Sequence, residues 1–432
     1  MGGYELSEDK NSATFHINEL SKALEASGEK VYKFGFGQSP FPVPAHAVEA
    51  LKHNASRKDY TDPQGLLELR QLISQHHKSI LENTVQPENI VVSCGSKPLL
   101  FFTQFVLKDY QLVLPKGSWV SYQPQAEAIG KKVYWAQTEA SSDWKLLPEE
   151  LDKTISSFDE KALLILNYPG NPIGKTYSKA ELEAITKVLK KHEALVIADE
   201  IYSELTFSRK HHSLLDAYPE GTILTSGISK WAGAGGWRLG YCLVHKELEW
   251  FSKKLTAVQS ECLSTTSTPV QLATTKLLEE PERNQKYLEM ALSILAPLAK
   301  KVHADLVEAG IECAPADGGF YLFLDFEKFR EKLAAKGIRT SPDLCDYLLK
   351  EHGIALLPGT VFGCGSEELL ARLSYVNFDG AEALAALEGQ SSESQLNAFN
   401  SLADAVSEKF LSKHCPDTLE GISRLCLVMK SL

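Results

Sequence analysis

Between about residues 85 and 245, short apolar runs alternate with helical segments, and this alternation is the strongest constraint on the fold. The runs lie at residues 90–93, 111–114, 132–136, 162–166, 194–198, 222–225 and 238–244. Residues 178–192, between two of them, have the Glu and Lys faces of an amphipathic helix. Apolar strands that alternate with helices are typical of a mostly parallel sheet covered on both faces. The sequence therefore predicts an α/β fold, in which ligands bind beyond the carboxyl ends of the strands.

The two ends of the chain differ from this central region. Strand-like runs that suit a smaller α+β unit lie at residues 319–326, 354–357 and 370–376. We therefore predict a large domain over residues 46–300 and a small domain built from residues 1–45 and 301–432. Residues 380–400, which include the polar run GQSSESQLN, are predicted to form a surface loop or insertion.

The composition limits the partners. A chain of 432 residues, 44% of them hydrophobic, can bury a large core without a disulfide or a metal. Its net charge of -11 argues against nucleic acid, because phosphate binding needs a basic face. The eight cysteines form no CxxC pair and no zinc-ligand cluster with histidine, so we predict no metal site and free thiols. The sequence has neither an apolar run of about 20 residues nor a signal-peptide core, so we expect no membrane partner and a cytoplasmic location.

A lysine follows the predicted strand at residues 222–225. The segment SGISKWAGAGGWRLG contains Ser229, Lys230 and Arg238. A lysine amine can form an imine with an aldehyde and later shuttle a proton, while an arginine among glycines can hold a phosphate. A solvated loop lysine and a surface arginine would produce the same spacing, so this segment alone leaves both interpretations open.

Two further polar motifs follow neighbouring predicted strands. The run at 194–198 is followed by Asp199 and Tyr202, and the run at 162–166 by NYPGNPIG, which contains Asn171. A buried carboxylate at a strand end can pair with a cationic ring nitrogen and make the ring a better electron acceptor. Each motif alone has a simpler explanation, because Asp at a strand end is often a helix cap and an NP…G sequence is a common turn.

Together, the three motifs resemble, in order and in position at strand ends, those of the class I/II aminotransferases, which have fold type I, belong to the aspartate aminotransferase-like superfamily and use pyridoxal 5'-phosphate (PLP). The resemblance extends from about residue 31 to residue 377. It implies transfer of an amino group between an L-amino acid and a 2-oxo acid, with Lys230 holding PLP as a Schiff base. It also implies a homodimer with active sites at the subunit interface. The sequence departs from the family at Ile173, where threonine is usual, and at Pro98, where a small helix former is usual.

The resemblance also assigns roles in cofactor binding. Asp199 would pair with the ring nitrogen, and both Tyr202 and Asn171 would hydrogen-bond the ring oxygen. Trp119 would stack on the ring. The residues expected near the phosphate in the same subunit are Gly95, Ser96, Lys97, Ser229 and Arg238. Tyr60 would reach the phosphate of the partner subunit across the dimer interface.

The substrate is less constrained. By the resemblance, Arg372 binds the α-carboxylate with its planar donors, and Gly37 and Asn171 line the same pocket. An acidic substrate needs a second cation, for which Lys97 is a candidate, although an ungapped comparison with aspartate enzymes puts Ser96 at the position of their lysine. An aromatic substrate is the alternative, suggested by residues near the pocket entrance that ordinary core packing would also explain, namely Tyr32, Phe34, Phe36 and Phe41.

Two other functions are compatible with these residues. A PLP-dependent C–S or β-lyase of the same fold would use the same lysine, aspartate and arginine, because both reactions begin at a bond to the α-carbon. A non-catalytic ligand-sensing module would keep only the binding site. However, the chain is acidic, and the roughly 30 residues before the resemblance are too few for the DNA-binding domain expected of a regulator. The aminotransferase is therefore the favoured hypothesis.

Overall fold

The computed structural model describes residues 13–78, 80–82, 85–394 and 405–432. Its strands are β1 (Tyr32–Lys33), β2 (Ile90–Ser93), β3 (Gln111–Pro115), β4 (Val133–Ala136), β5 (Ala162–Asn167), β6 (Leu195–Asp199), β7 (Thr222–Gly227), β8 (Gly240–Val244), β9 (Tyr321–Asp325), β10 (Ile354–Ala355), β11 (Leu357–Pro358) and β12 (Leu370–Ser374).

The largest sheet has seven strands, in the order β2-β8-β7-β6-β5-β3-β4. The pairs from β7 through β6, β5 and β3 to β4 are parallel, whereas β8 is antiparallel to both of its neighbours. The predicted α/β fold with a mostly parallel central sheet is thus confirmed. The order places the ends of β6 and β7 next to each other, near the middle of the sheet.

Helices cover both faces of this sheet. The described residues also include helices that pack on the smaller sheets or on other helices. In chain order, the helices are α1 (Ala13–Ala26), α2 (Ala45–Asn54), α3 (Leu67–His77), α4 (Ser96–Val106), α5 (Tyr122–Ala128), α6 (Pro148–Ile155), α7 (Lys179–Lys191), α8 (Leu214–Ala217), α9 (Glu249–Leu263), α10 (Thr268–Leu278), α11 (Pro281–Glu308), α12 (Arg330–Ala335), α13 (Ser341–His352), α14 (Gly380–Ser394), α15 (Glu408–His414) and α16 (Pro416–Ser431). Along β5, Leu163 and Leu164 belong to different buried clusters, because successive side chains of a strand point to opposite faces. No helix in the described part of the chain is long and apolar enough to cross a membrane.

Two smaller sheets involve the ends of the chain. β1 pairs in parallel with β10. This pairing holds residues 32–37, the N-terminal strip, against the C-terminal region. β9, β11 and β12 form an antiparallel sheet in the order β11-β12-β9. Arg372 lies inside β12, opposite Leu357 on one side and Phe323 on the other. The domain boundaries, 46–300 against 1–45 with 301–432, stay predictions.

The polar segment at residues 380–400 was predicted to be a loop, and this prediction is wrong for its described part. Residues up to Ser394 form α14, whereas residues 395–400 lie outside the described residues. Ala383, Leu384 and Leu387 of this helix are buried in the main core. Their helical spacing stabilises the helix through packing, and the polar run that follows them obscured this pattern in the sequence.

Candidate active site

A cavity of about 520 Å³ opens at the carboxyl ends of the central strands. Its wall contains the predicted site residues Gly37, Ser96, Lys97, Trp119, Asn171, Asp199, Tyr202, Ser229, Lys230, Arg238 and Arg372. This location is the one that open α/β sheets use for ligands. Residues predicted from separate motifs, hundreds of positions apart, therefore meet in one place.

Lys230 lies in the loop that follows β7. Its Nζ donates a hydrogen bond of 2.8 Å to the carbonyl oxygen of Gly37, and it lies 5.4 Å from the centre of the Tyr202 ring. The amine therefore faces the cavity between the sheet and the N-terminal strip. A lysine in this position could bind a carbonyl compound covalently and move a proton within the cavity.

Asp199 provides a buried carboxylate beside this lysine. Tyr122 donates to it at 2.6 Å and Thr225 at 3.3 Å. Burial raises the pKa of Asp199 to about 6, although these two hydrogen bonds and the charge of Lys230 favour the ionised form. A cationic partner would offset the cost of burying the ionised carboxylate, so Asp199 is suited to the protonated ring nitrogen of PLP.

The start of α4 forms a cradle for an anion. Gly95 precedes the helix with a φ of 104°, and a Cβ atom there would lie 2.3 Å from Nη2 of Arg238. Only glycine therefore allows the arginine to pack against this turn. The free N–H groups of the helix start, with Ser96, Ser229 and Arg238, make a donor set that fits the phosphate of PLP.

Lys97 and Trp119 line the cavity beside this cradle. Nζ of Lys97 lies 4.8 Å from the centre of the Trp119 ring. The pKa of Lys97 is lowered, first by burial and then by the positive charges of Arg238 and Lys230. An anion that approached Lys97 would offset this repulsion.

Arg372 faces the cavity from β12 and is only 3% exposed. It donates to Oδ1 of Asn171 at 2.9 Å and to the carbonyl oxygen of Gly35 at 2.6 Å. Burial lowers the pKa of Arg372, but the guanidinium of an arginine stays charged at neutral pH. Its buried Nε has no hydrogen-bond partner in the described structure, so the guanidinium retains donor capacity for a carboxylate.

Two predicted site residues lie elsewhere. Gly95 packs against Arg238 rather than lining the cavity wall. Tyr60 lies outside this wall, and its side chain is 85% exposed. Its predicted role concerns the partner's site, so a position outside the cavity of its own chain does not contradict that prediction.

No group of His, Cys, Asp and Glu side chains among the described residues is arranged to hold a metal ion.

Three residues of the cavity wall that hydrogen-bond to predicted site residues were not themselves predicted from the sequence. Tyr122 donates to Asp199, and Asn167 bridges the backbone of Asp199 and Asn171. Tyr321 contacts the hydroxyl of Tyr202. Asn167 belongs to the NYPGNPIG motif, so its position directly after a strand was an available signal. For Tyr122 and Tyr321 the partners come from tertiary packing between distant segments, which no local pattern indicates.

Comparison with known proteins identifies similar chains. The family model for aminotransferase class I and II matches residues 29–388. Aspartate aminotransferase from Geobacillus stearothermophilus is 31% identical over 373 residues, which is 84% of this chain and 91% of the relative. Asparagine–oxo-acid transaminase from Streptococcus mutans is 29% identical over 381 residues, 85% of this chain and 93% of the relative. The solved structure of Thermus thermophilus aspartate aminotransferase with maleate has a TM-score of 0.80 at 24% identity, covering 99% of this chain and 100% of that one.

Proposed function

Because the chain belongs to the aminotransferase class I and II family, we propose that it transfers the amino group of an acidic L-amino acid to a 2-oxo acid. The chain is a PLP-dependent aminotransferase. One observation supports the proposal that the substrate is acidic. The cavity wall pairs one carboxylate, that of Asp199, with four cationic side chains, which are Lys97, Lys230, Arg238 and Arg372.

Three of these cations have roles at the cofactor or at the α-carboxylate, and Lys97 remains. Lys230 would hold PLP covalently, Arg238 would bind its phosphate, and Arg372 would bind the substrate α-carboxylate. Lys97 would then be available for a second, distal carboxylate. The similar proteins include aspartate aminotransferases, and their names agree with such a substrate.

The remaining groups would keep the cofactor end ordered. When bound, PLP supplies an electron sink for the bond that breaks at the substrate α-carbon. Asp199 would hold the proton on the ring nitrogen, and Tyr202 and Asn171 would donate to the ring oxygen. The freed amine of Lys230 would take the proton from the α-carbon and return it.

We also propose a homodimer in which Tyr60 reaches the active site of the partner subunit. Its 85% exposure on this chain supports this role, because an aromatic ring left in water is suited to contact a second surface. Two copies of one chain associate most often about a two-fold axis, which would complete both sites equally. A cytoplasmic location stays a prediction.

The visible absorption of the purified protein with PLP tests the function. We expect a yellow protein whose visible band is lost when aspartate or glutamate is added and is restored by a 2-oxo acid. Lys97→Met should raise the concentration of dicarboxylic amino acid needed for half of this change by about tenfold, and should leave the response to alanine unchanged.

Each other outcome would contradict one part of the proposal. Aromatic amino acids as the best substrates would contradict the acidic substrate. Release of pyruvate, ammonia or a thiol, with the visible band retained, would identify a lyase instead. A protein that PLP cannot turn yellow would contradict the cofactor site itself.

A further inference from the structure

Tyr321 joins the two sides of the cavity. It begins β9, and its ring lies 4.7 Å from the guanidinium carbon of Arg372. Its hydroxyl lies 2.8 Å from the hydroxyl of Tyr202 and 3.3 Å from the carbonyl oxygen of Gly37. A Cβ atom on Gly37 would lie 1.9 Å from this hydroxyl, so the glycine is required for the contact. One buried side chain thus touches three residues of the cavity wall, and the proposed function uses two of them, Tyr202 and Arg372.

The number of protons limits the direction of these hydrogen bonds, because each phenol can donate only one. The Gly37 carbonyl can only accept, and it accepts from both Lys230 and Tyr321. If the single proton of Tyr321 points to Gly37, then Tyr202 must donate to Tyr321. Burial, and next the neighbouring Tyr321, raise the pKa of Tyr202 well above its ordinary value, so this phenol keeps its proton at neutral pH.

We propose that Tyr321 is a positioning residue that reverses this chain of hydrogen bonds when the cofactor binds. The proposal rests on the proposed function, in which Tyr202 donates to the ring oxygen of PLP. Tyr202 then has no proton left for Tyr321, so Tyr321 turns its own proton from Gly37 to the oxygen of Tyr202. A phenol that accepts one hydrogen bond becomes a stronger donor in the next, so Tyr321 strengthens the bond from Tyr202 to the cofactor.

The ring of Tyr321 has a separate effect. Its face packs against Arg372, and a cation held over an aromatic ring in a buried site is stabilised by the ring electrons. The hydroxyl therefore acts on the cofactor through Tyr202, while the ring orients the cation for the substrate carboxylate. Tyr321→Phe removes only the first effect, and Tyr321→Leu removes both.

The pH dependence of the visible absorption of the PLP-bound protein tests the hydroxyl. A hydrogen bond to the ring oxygen favours its deprotonated form, so Tyr321→Phe should move the spectral midpoint upward by about 0.5 to 1 pH unit. KM for the amino acid should change by less than about twofold, because the ring remains. Tyr321→Leu should in addition raise KM by roughly fivefold.

A double-mutant cycle distinguishes positioning from a general structural effect. In a Tyr202→Phe background, Tyr321→Phe should no longer move the midpoint, because no phenol remains to relay the effect. Tyr218→Phe is the matched control, since Tyr218 is also buried and its hydroxyl also donates to a carbonyl, that of Ala194, outside the cavity wall. It should leave the midpoint unchanged, and thermal unfolding should verify that every variant is folded.

An unchanged midpoint in folded Tyr321→Phe, or the same shift with and without Tyr202, would overturn the proposal. This failure is distinct from a failure of the proposed function. The unmodified protein shows independently whether PLP binds and whether acidic amino acids are substrates.

Discussion

The two walls of the cavity hold their charged groups in different ways. On the sheet wall, Asp199 ends β6 and Lys230 follows β7, so both lie where parallel strands give way to loops. On the opposite wall, Arg372 lies within β12 and is paired with strands on both sides. A side chain at a strand end can change position when the following loop moves, whereas a residue inside a packed sheet moves only with that sheet.

This difference suggests a division of kinetic roles. The sheet wall carries the groups that would act on the reacting atoms, so their loss should lower kcat. The opposite wall carries a fixed cation that would bind substrate and transition state alike, so its loss should raise KM. The variants below test whether the two walls can be separated in this way.

Lys230→Ala tests the sheet wall and has the largest expected effect. We expect kcat to fall by about 10⁴-fold or more, because the variant loses both the covalent attachment of PLP and the proton carrier. Lys131→Met is the control, since the Lys131 amine also donates to backbone carbonyl oxygens, those of Leu107 and Tyr110, but lies outside the cavity wall. Borohydride reduction and peptide mapping should attach the cofactor to the Lys230 peptide, and a label on any other lysine would contradict the assignment.

Arg372→Ala tests the opposite wall and should raise KM for the amino acid by about 10²-fold, because a buried cation with planar donors is lost. Steady-state kinetics would measure this change, and the visible absorption of bound PLP should stay as in the unmodified protein. Arg372→Lys keeps the charge without the fork of donors, so its KM should lie between the two. A loss mainly in kcat would show that the walls do not act separately.

The sequence could predict the residues of the site that lie in local motifs, but not the contacts between distant segments. Asp199, Lys230 and Asn171 lie in contiguous motifs directly after apolar strands, so a local pattern was sufficient to find them. The contact of Tyr202 with Tyr321 spans 119 residues, and that of Lys230 with Gly37 spans 193. Such contacts depend on the pairing of strands that are distant in the chain, and no local pattern indicates which residues will meet.

The fold followed the same rule. The alternation of strands and helices predicted the central sheet, because continuous burial on both faces leaves a strong apolar signal. The helix α14 was missed, because Ala383, Leu384 and Leu387 supply its buried face while a polar run dominates the sequence just beyond them. Tertiary packing, rather than local composition, determined that segment.

The last prediction concerns the stability of the cofactor-free protein, and it tests whether Asp199 gains a cationic partner when PLP binds. In the folded state the pKa of Asp199 is raised to about 6, so the unfolded carboxyl loses its proton at lower pH. The stability that the protonated Asp199 carboxyl contributes to the folded state is therefore fully present below about pH 4 and is lost as the pH rises through 6. Asp199→Asn removes this dependence.

The free energy of unfolding should be measured by denaturant titration for both proteins. Between about pH 4 and pH 7, that of the unmodified protein should fall relative to that of Asp199→Asn, by at most about 3 kcal/mol. Replacing the acceptor of Tyr122 adds an offset that does not vary with pH, so the slope isolates the carboxyl. Saturation with PLP should flatten the slope, because a cationic ring nitrogen would stabilise the ionised carboxylate of the unmodified protein. A slope that PLP leaves unchanged would mean that Asp199 does not face a cation, and the carboxylate would then be a structural feature of the sheet wall.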